Sequence, residues 1–270
     1  MNHTNIFCLN THLFEGTFVG KIYKPILYHD NTRMKTICKY LKHNNFDLVM
    51  LSEVWSDEMK LKIANKLGNI YPYVWIPPHT STCFKTGPEF LFLSKNPMSD
   101  KCFTNFTSLS GWDSMSEKKI CGMVMNNIFY CCTHLDTTDT CQVSNIAQII
   151  NFININKNNH PVVLAGDFNI NEYNPNDFAH TTGQYDFLRN TLGNIGLIDA
   201  GRIVQPNALI HPFYTTDNLN NITDNNFSPN CFTQSRIDYY FTQGILPVQY
   251  STVPSTMSDH YGIKMTFVVN

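Results

Sequence analysis

The sequence predicts an α/β protein in which two mixed β-sheets pack face to face between outer helices, a four-layer α-β-β-α sandwich. Three observations carry this. Short apolar runs of strand length recur along the chain. Segments with apolar residues at helical spacing separate some of them, the pattern of sheets flanked by helices. The chain has 270 residues, 43% hydrophobic and only 15% charged. That length buries a full core as one domain, 1–270, without disulfide or metal staples.

The elements follow in order. Ile6–Leu9 reads as a first strand. Thr32–Lys42 carries Met34, Ile37, Cys38 and Leu41 on one helical face. Leu48–Leu51 is a buried strand, and Asp57–Leu67 a second helix with Met59, Leu61, Ile63 and Leu67, ended by Gly68. A strand-rich stretch follows: Tyr73–Ile76, Phe90–Leu93, Lys101–Phe106, Cys121–Met125 and Ile128–Cys132. Asn126-Asn127 joins the last two as a two-residue hairpin, since Asn tolerates positive φ. Asp139–Ile155 is the longest helix, with Ile146, Ile149, Ile150 and Ile153 on one face. Val162–Ala165 is a buried strand and Tyr185–Leu192 a short helix. Residues 205–234 are polar and irregular, and Arg236–Phe241, Pro247–Val253 and Gly262–Val268 close the fold.

Composition narrows the classes. A charged share of 15% lies below the usual ~25% and argues against disorder and long coiled coils. Lys+Arg 19 against Asp+Glu 21 gives a net charge of −2, so no strongly basic nucleic-acid surface is evident. No apolar run reaches the ~18 residues of a membrane span. The N-terminus lacks the basic and apolar regions of a signal peptide. Either the protein stays inside a cell, in the cytoplasm or at a membrane periphery, or the chain is a mature form; the first is the expectation. Nine cysteines without a C-x-x-C pair read as reduced, buried thiols. Cys131 and Cys132, adjacent in a strand, should face opposite ways. Sequons at Asn2, Asn105, Asn221 and Asn226 are expected of chance in an Asn-rich chain.

The chemistry-bearing residues gather at strand ends. Asn10 follows the first strand, and Glu53 follows the second in Leu51-Ser52-Glu53-Val54-Trp55. His134 and Asp136 follow Ile128–Cys132, and Asp167 and Asn169 follow Val162–Ala165 in Gly166-Asp167-Phe168-Asn169. Asp238 lies in Arg236-Ile237-Asp238-Tyr239, and Asp259-His260 precede the last strand. Carboxylate and amide oxygens suit Mg²⁺ or Ca²⁺ better than zinc. Two histidines supply a base and a phosphate-stabilising donor, and an Asp on the far ring nitrogen fixes a tautomer. Each residue alone reads more readily as a loop, turn or structural residue than as a catalytic one. The ordered set is what is specific.

That set resembles the endonuclease/exonuclease/phosphatase superfamily, with its DNase I-like fold, from Asn10 to His260. The resemblance implies that Glu53 is the principal divalent-metal ligand, with Asn10 supporting the same metal site. It implies that His134 contacts the scissile phosphate, and that Asp167 and Asn169 position nucleophile and phosphate. His260 becomes the catalytic histidine, Asp238 its orienting carboxylate, and Asp259 an acidic neighbour that binds or tunes metal. Mg²⁺ is the expected ion, with Mn²⁺ or Ca²⁺ as alternatives. One departure is Ser52, where Gln or Asn usually precedes the metal Glu. The shorter hydroxyl should leave a gap that water fills and retune metal affinity.

Within the superfamily, several looser features look like the neutral sphingomyelinase branch. They are the Leu51–Trp55 segment leading to Tyr71-Pro72-Tyr73, Gly87 to Pro97, Asp113–Lys118, and Phe213–Asn218. The implied substrate is a sphingomyelin-type phospholipid at a membrane surface, cleaved to ceramide and phosphocholine by a monomer. Tyr71, Tyr73, Trp75, Ile76, Phe84 and Trp112 are candidate membrane-facing residues, although Tyr73–Ile76 reads first as core strand. Trp55 either lines the cleft or packs beneath it. The alternative substrate is DNA, as for a DNase I-like or abasic-site endonuclease, which normally neutralises several phosphates with Lys and Arg.

Overall fold

The computed structural model describes residues 3–17, 29–79, 87, 89–174, 177–206, 213–217 and 234–269. One six-stranded sheet contains β1 (Thr4–Leu13), β2 (Leu48–Val54), β3 (Tyr73–Trp75), β4 (Leu91–Ser94), β13 (Ile245–Val253) and β14 (Gly262–Val269), in the order β13-β14-β1-β2-β4-β3. The second contains β5 (Ser99–Asn105), β6 (Lys119–Met125), β7 (Ile128–His134), β8 (Val162–Asp167), β11 (Ile198–Asp199) and β12 (Asp238–Gln243), in the order β11-β12-β8-β7-β6-β5. A small pair, β9 (Tyr173–Asn174) and β10 (Asp177–Thr181), stands apart. The helices are α1 (Asp30–Asn44), α2 (Asp57–Leu67), α3 (Asp139–Asn156), α4 (Gly183–Gly193) and α5 (Ala200–Val204).

Strand alternation builds the layers. Ile6 and Cys8 of β1 face the second sheet, packed with Met123, Tyr130 and Ala165. Their neighbours Phe7 and Leu9 face outward onto Met34, Ile37 and Leu41 of α1 and Met59 and Ile63 of α2. On the other side Phe129, Leu164 and Phe241 meet Ile149 and Ile153 of α3 and Leu188 of α4. Cys131 lies in this outer core and Cys132 in the central one, as period-two alternation requires. Cys83 and Cys231 lie outside the described residues, as do the sequons at Asn2, Asn221 and Asn226 and most of 205–234. Among the described residues no helix is long and apolar enough to cross a membrane.

Each large sheet has one parallel pair at its middle, β1 with β2 and β7 with β8. A parallel connection needs a crossover, and α1 and α3 supply the two. The other neighbours are antiparallel. The C-terminal ends of β1, β2, β7 and β8 therefore share an edge with the N-terminal ends of β12 and β14. In that register Asp167 lies opposite both His134 and Asp238.

The sequence placed most elements, with ends that differ by a few residues. Asn126 and Asn127 take φ of 51° and 60° and close the β6–β7 hairpin. The strands β1, β2, β7 and β8 run further than their apolar runs, so Asn10, Glu53, His134 and Asp167 lie inside strands rather than after them. β9, β10, β11 and α5 had no sequence signal. Tyr71 and Trp75 are core residues and Tyr73 is exposed, while Phe84 is outside the described residues. Trp112 is 69% exposed, on a short 3-10 turn, Gly111–Met115.

Gly166 permits the close approach of β8 to β7. Its φ is 138°, and a Cβ there would lie 1.9 Å from the Thr133 carbonyl oxygen. Backbone cannot yield as a flexible side chain does, so Gly166→Ala is expected to destabilise by about 3 kcal/mol or more. Urea unfolding of the two proteins measures this.

Candidate active site

Glu53 breaks the extended geometry of β2 with a φ of 54°. Such a backbone is uncommon for a residue with a Cβ, and strain of this kind gathers at functional sites. Asn10 joins the sheets: its Nδ2 donates to Glu53 Oε1 at 2.9 Å and to Asp167 Oδ2 at 3.0 Å. Asn10 thus reaches the cleft through the two carboxylates it holds. Ser52, beside them, has a buried Oγ with no hydrogen-bond partner among the described residues.

Two imidazole–carboxylate pairs flank this bridge. His260 Nδ1 lies 2.9 Å from Asp238 Oδ2, and its Nε2 lies 3.8 Å from Asp167 Oδ2. His134 Nδ1 lies 2.6 Å from Glu89 Oε2, with Nε2 3.5 Å from Asp167 Oδ2 and 3.8 Å from Glu53 Oε1. Both rings present Nε2 to the same carboxylate. Burial works against charge on His260, yet Asp238 and Asp167 raise its pKa well above the ordinary value. Burial and the Asp167 charge raise the Asp238 pKa against the pull of His260. For Glu53, burial opposes ionisation, but His12, His134 and Asn10 together lower its pKa.

Asn169 takes a φ of 52°, and its backbone N–H donates to Asp167 Oδ1 at 2.8 Å. Its Nδ2 donates to the Leu135 carbonyl at 3.0 Å, which commits one amide hydrogen. Asp259 sits at the outer edge, accepting from Ser258 Oγ, with Oδ2 3.5 Å from His12 Nδ1. Asp136 turns away to accept from Ser110 and Thr138 at the start of α3. Trp55 is buried against Phe14 and points Nε1 at Glu53 Oε2 from 3.4 Å, so it both packs and faces the site. Thr215 Oγ1 accepts from the Ile237 and Asp238 N–H groups, which ties this segment to the site.

Sequence reasoning missed two residues. Glu89, fully buried ahead of β4, looks in sequence like any acidic loop residue. His12 continues β1 past Asn10, where its proximity to Glu53 and Asp259 depends on the fold.

A divalent cation fits this donor set. Glu53, Glu89, Asp167, Asp238 and Asp259 face His12, His134 and His260, and the ion-pair partners of Glu53 and Asp167 are imidazoles. Donor atoms of Glu53, His134 and Asp167 lie within 4.8 Å of one another, as do those of Asp167, Asp238 and His260. Crowded carboxylates of this kind favour a hard cation.

The model of the endonuclease/exonuclease/phosphatase family matches residues 26–260. The chain belongs to this family. Its members are metal-dependent hydrolases. The family fold is seen in sphingomyelinase C from Streptomyces griseocarneus, at TM-score 0.75, 18% identity and full coverage of both chains. Beta toxin from Staphylococcus aureus matches at TM-score 0.75 and 19% identity, over 99% of this chain and all of its own. A variant of that toxin carries bound magnesium ions. TDP2 from Caenorhabditis elegans matches at TM-score 0.66 and 18% identity, over 99% of this chain and 75% of its own. No curated protein matches the sequence.

Burial lowers the His134 pKa, but Glu89, the largest opposing influence, helps raise it above the ordinary value. Glu89→Gln removes that charge, so the His134 pKa is expected to fall. An NMR titration of the imidazole ring resonances reads the change.

Proposed function

We propose that this chain is a divalent-metal-dependent phosphodiesterase that hydrolyses a sphingomyelin-type phospholipid to ceramide and phosphocholine. The observation that carries the hydrolytic reading is the pair of carboxylate-held imidazoles, His260 and His134, both turned toward Asp167 and the Glu53–Asn10 bridge. One ring is placed to take a proton and the other to steady a phosphate.

Glu53, held by Asn10 and flanked by Asp259, would bind the cation, commonly Mg²⁺ in such oxygen-rich sites, to withdraw charge from a non-bridging phosphate oxygen. In its neutral form His260, held by Asp238, removes a proton from water, and Asp167 aligns that water. The water oxygen bonds to phosphorus as the bond to the ceramide oxygen breaks, its electron pair leaving with that oxygen, which takes a proton from solvent. His134 and the remaining Nδ2 hydrogen of Asn169 donate to the charge that grows on the phosphate.

Two observations support a lipid over a nucleic acid. The described site is lined by carboxylates, imidazoles and amides, whereas a duplex binder neutralises backbone phosphates with Lys and Arg. The buried Arg33 and Lys118 are turned to backbone carbonyls and to Asp30 and Asp113. The likeness to a sphingomyelinase C, at 18% identity, is consistent with this choice.

The test is a paired assay on one preparation with Mg²⁺, following phosphocholine release from sphingomyelin liposomes and nicking of plasmid DNA. Phosphocholine release with intact plasmid is expected, and nicking with intact lipid would overturn the lipid reading. His260→Ala is expected to lower kcat by at least about 10²-fold; near-wild-type turnover would remove His260 from the mechanism. In a Mg²⁺ titration of activity, Glu53→Gln is expected to require far more metal for half-maximal rate.

A further inference from the structure

His12 lies outside every sequence motif, yet the fold takes care over its placement. The β1–β2 register slips between Asn10 and Leu13. Bulges of this kind re-aim side chains beside active sites. His12 takes a φ of 48°, and its N–H donates to Asn10 Oδ1 at 3.2 Å. The buried Arg33 guanidinium, paired with Asp30, clasps the carbonyls of Thr11 and His12 from behind. The ring then packs edge-on against Phe14 at 4.9 Å.

This places Nδ1 3.4 Å from Glu53 Oε2 and 3.5 Å from Asp259 Oδ2. Each of the other two imidazoles has one ring nitrogen, Nδ1, on a carboxylate at 2.6 or 2.9 Å and leaves only Nε2 at the longer 3.5–3.8 Å spacings, whereas His12 makes no short carboxylate contact among the described residues. The short contacts are hydrogen-bond lengths, while the His12 spacings exceed the usual ~2.7–2.9 Å of a charge-assisted bond. They sit nearer the ~3 Å that separates adjacent donors around one cation with ligand bonds of about 2.1 Å. The His12 side chain is also about one-third exposed.

The geometry points to His12 as a nitrogen ligand for the cation that Glu53 holds, with Asp259 on its far side. This rests on the divalent-metal reading of the site and adds a specificity to it. Oxygen donors favour Mg²⁺ and Ca²⁺, while imidazole favours the later first-row metals. His12 therefore tilts an otherwise oxygen-rich site toward ions such as Co²⁺.

The test is calorimetric titration of the full chain with Co²⁺ and, separately, Mg²⁺, beside the visible spectrum of the Co²⁺-loaded protein. His12→Asn is the first variant, because Asn accepts a left-handed backbone; His12→Ala is the second, and melting curves report whether each is folded. Both variants are expected to weaken Co²⁺ binding by at least about tenfold, with Mg²⁺ changed less than threefold, and to shift the Co²⁺ absorption bands. Unchanged Co²⁺ affinity and spectrum overturn the inference. So does tighter binding of both ions, which would make His12 a competitor for the two carboxylates. Glu53→Gln separates the layers. If it abolishes binding while the His12 variants bind as wild type, only the role of His12 falls. If Glu53→Gln binds both ions as wild type does, the metal reading of Glu53 falls as well.

Discussion

One amide group holds the two halves of the site together. Asn10 Nδ2 donates to a carboxylate of each sheet, Glu53 on its own and Asp167 on the other. Among the described residues the ion pairs of both acids are with imidazoles rather than Lys or Arg, and these partners, with the Asn10 amide, offset part of the repulsion between the two carboxylates. The packed layers offset the rest. Apolar side chains from both sheets fill the central core, and helices close each outer face. The site therefore exists only as a product of sheet-on-sheet packing.

The same logic explains the motif around Asp238. Arg236 is fully buried, with Nη1 and Nη2 on Asp199 and Nη1 also on Glu172. Breaking such a buried pair costs about 3–5 kcal/mol, because the charge left behind has no solvent. Tyr239 adds a hydroxyl that donates to the carbonyls of Ile170 and Arg236. These contacts fix the start of β12, and Asp238 inherits its aim at His260 from them.

The layers were legible because alternation in strands such as Ile6–Leu9 and helical spacing in Asp139–Ile155 are local properties of the chain. Glu53, Asp167, Asp238 and His260 were legible because their neighbours form recognisable motifs, and the fold brings them to one edge. What stayed hidden depends on distant partners. β11 spans two residues and exists through its pairing with β12. Glu89 gains its meaning from a histidine 45 residues away, and His12 from a bulge clasped by Arg33. Strand ends were misjudged where polar residues such as Asn10 and Glu53 continue a strand whose apolar pattern has stopped.

The sheet topology has an engineering consequence. The second large sheet comes from one unbroken stretch, Ser99 to Gln243, while the first is assembled from both flanks. Thr4 lies beside Phe267, at the ends of β1 and β14 remote from the cleft. The Asn126-Asn127 turn is likewise remote from it, since β7 runs from there toward His134. A circular permutant that links the neighbouring strands β1 and β14 and opens at Asn126 would leave uncut the strand pairings that bring Asn10, His134, Asp167 and Asp238 together. It also presents the cleft away from both new ends, so the protein can be tethered to a surface with its mouth facing outward.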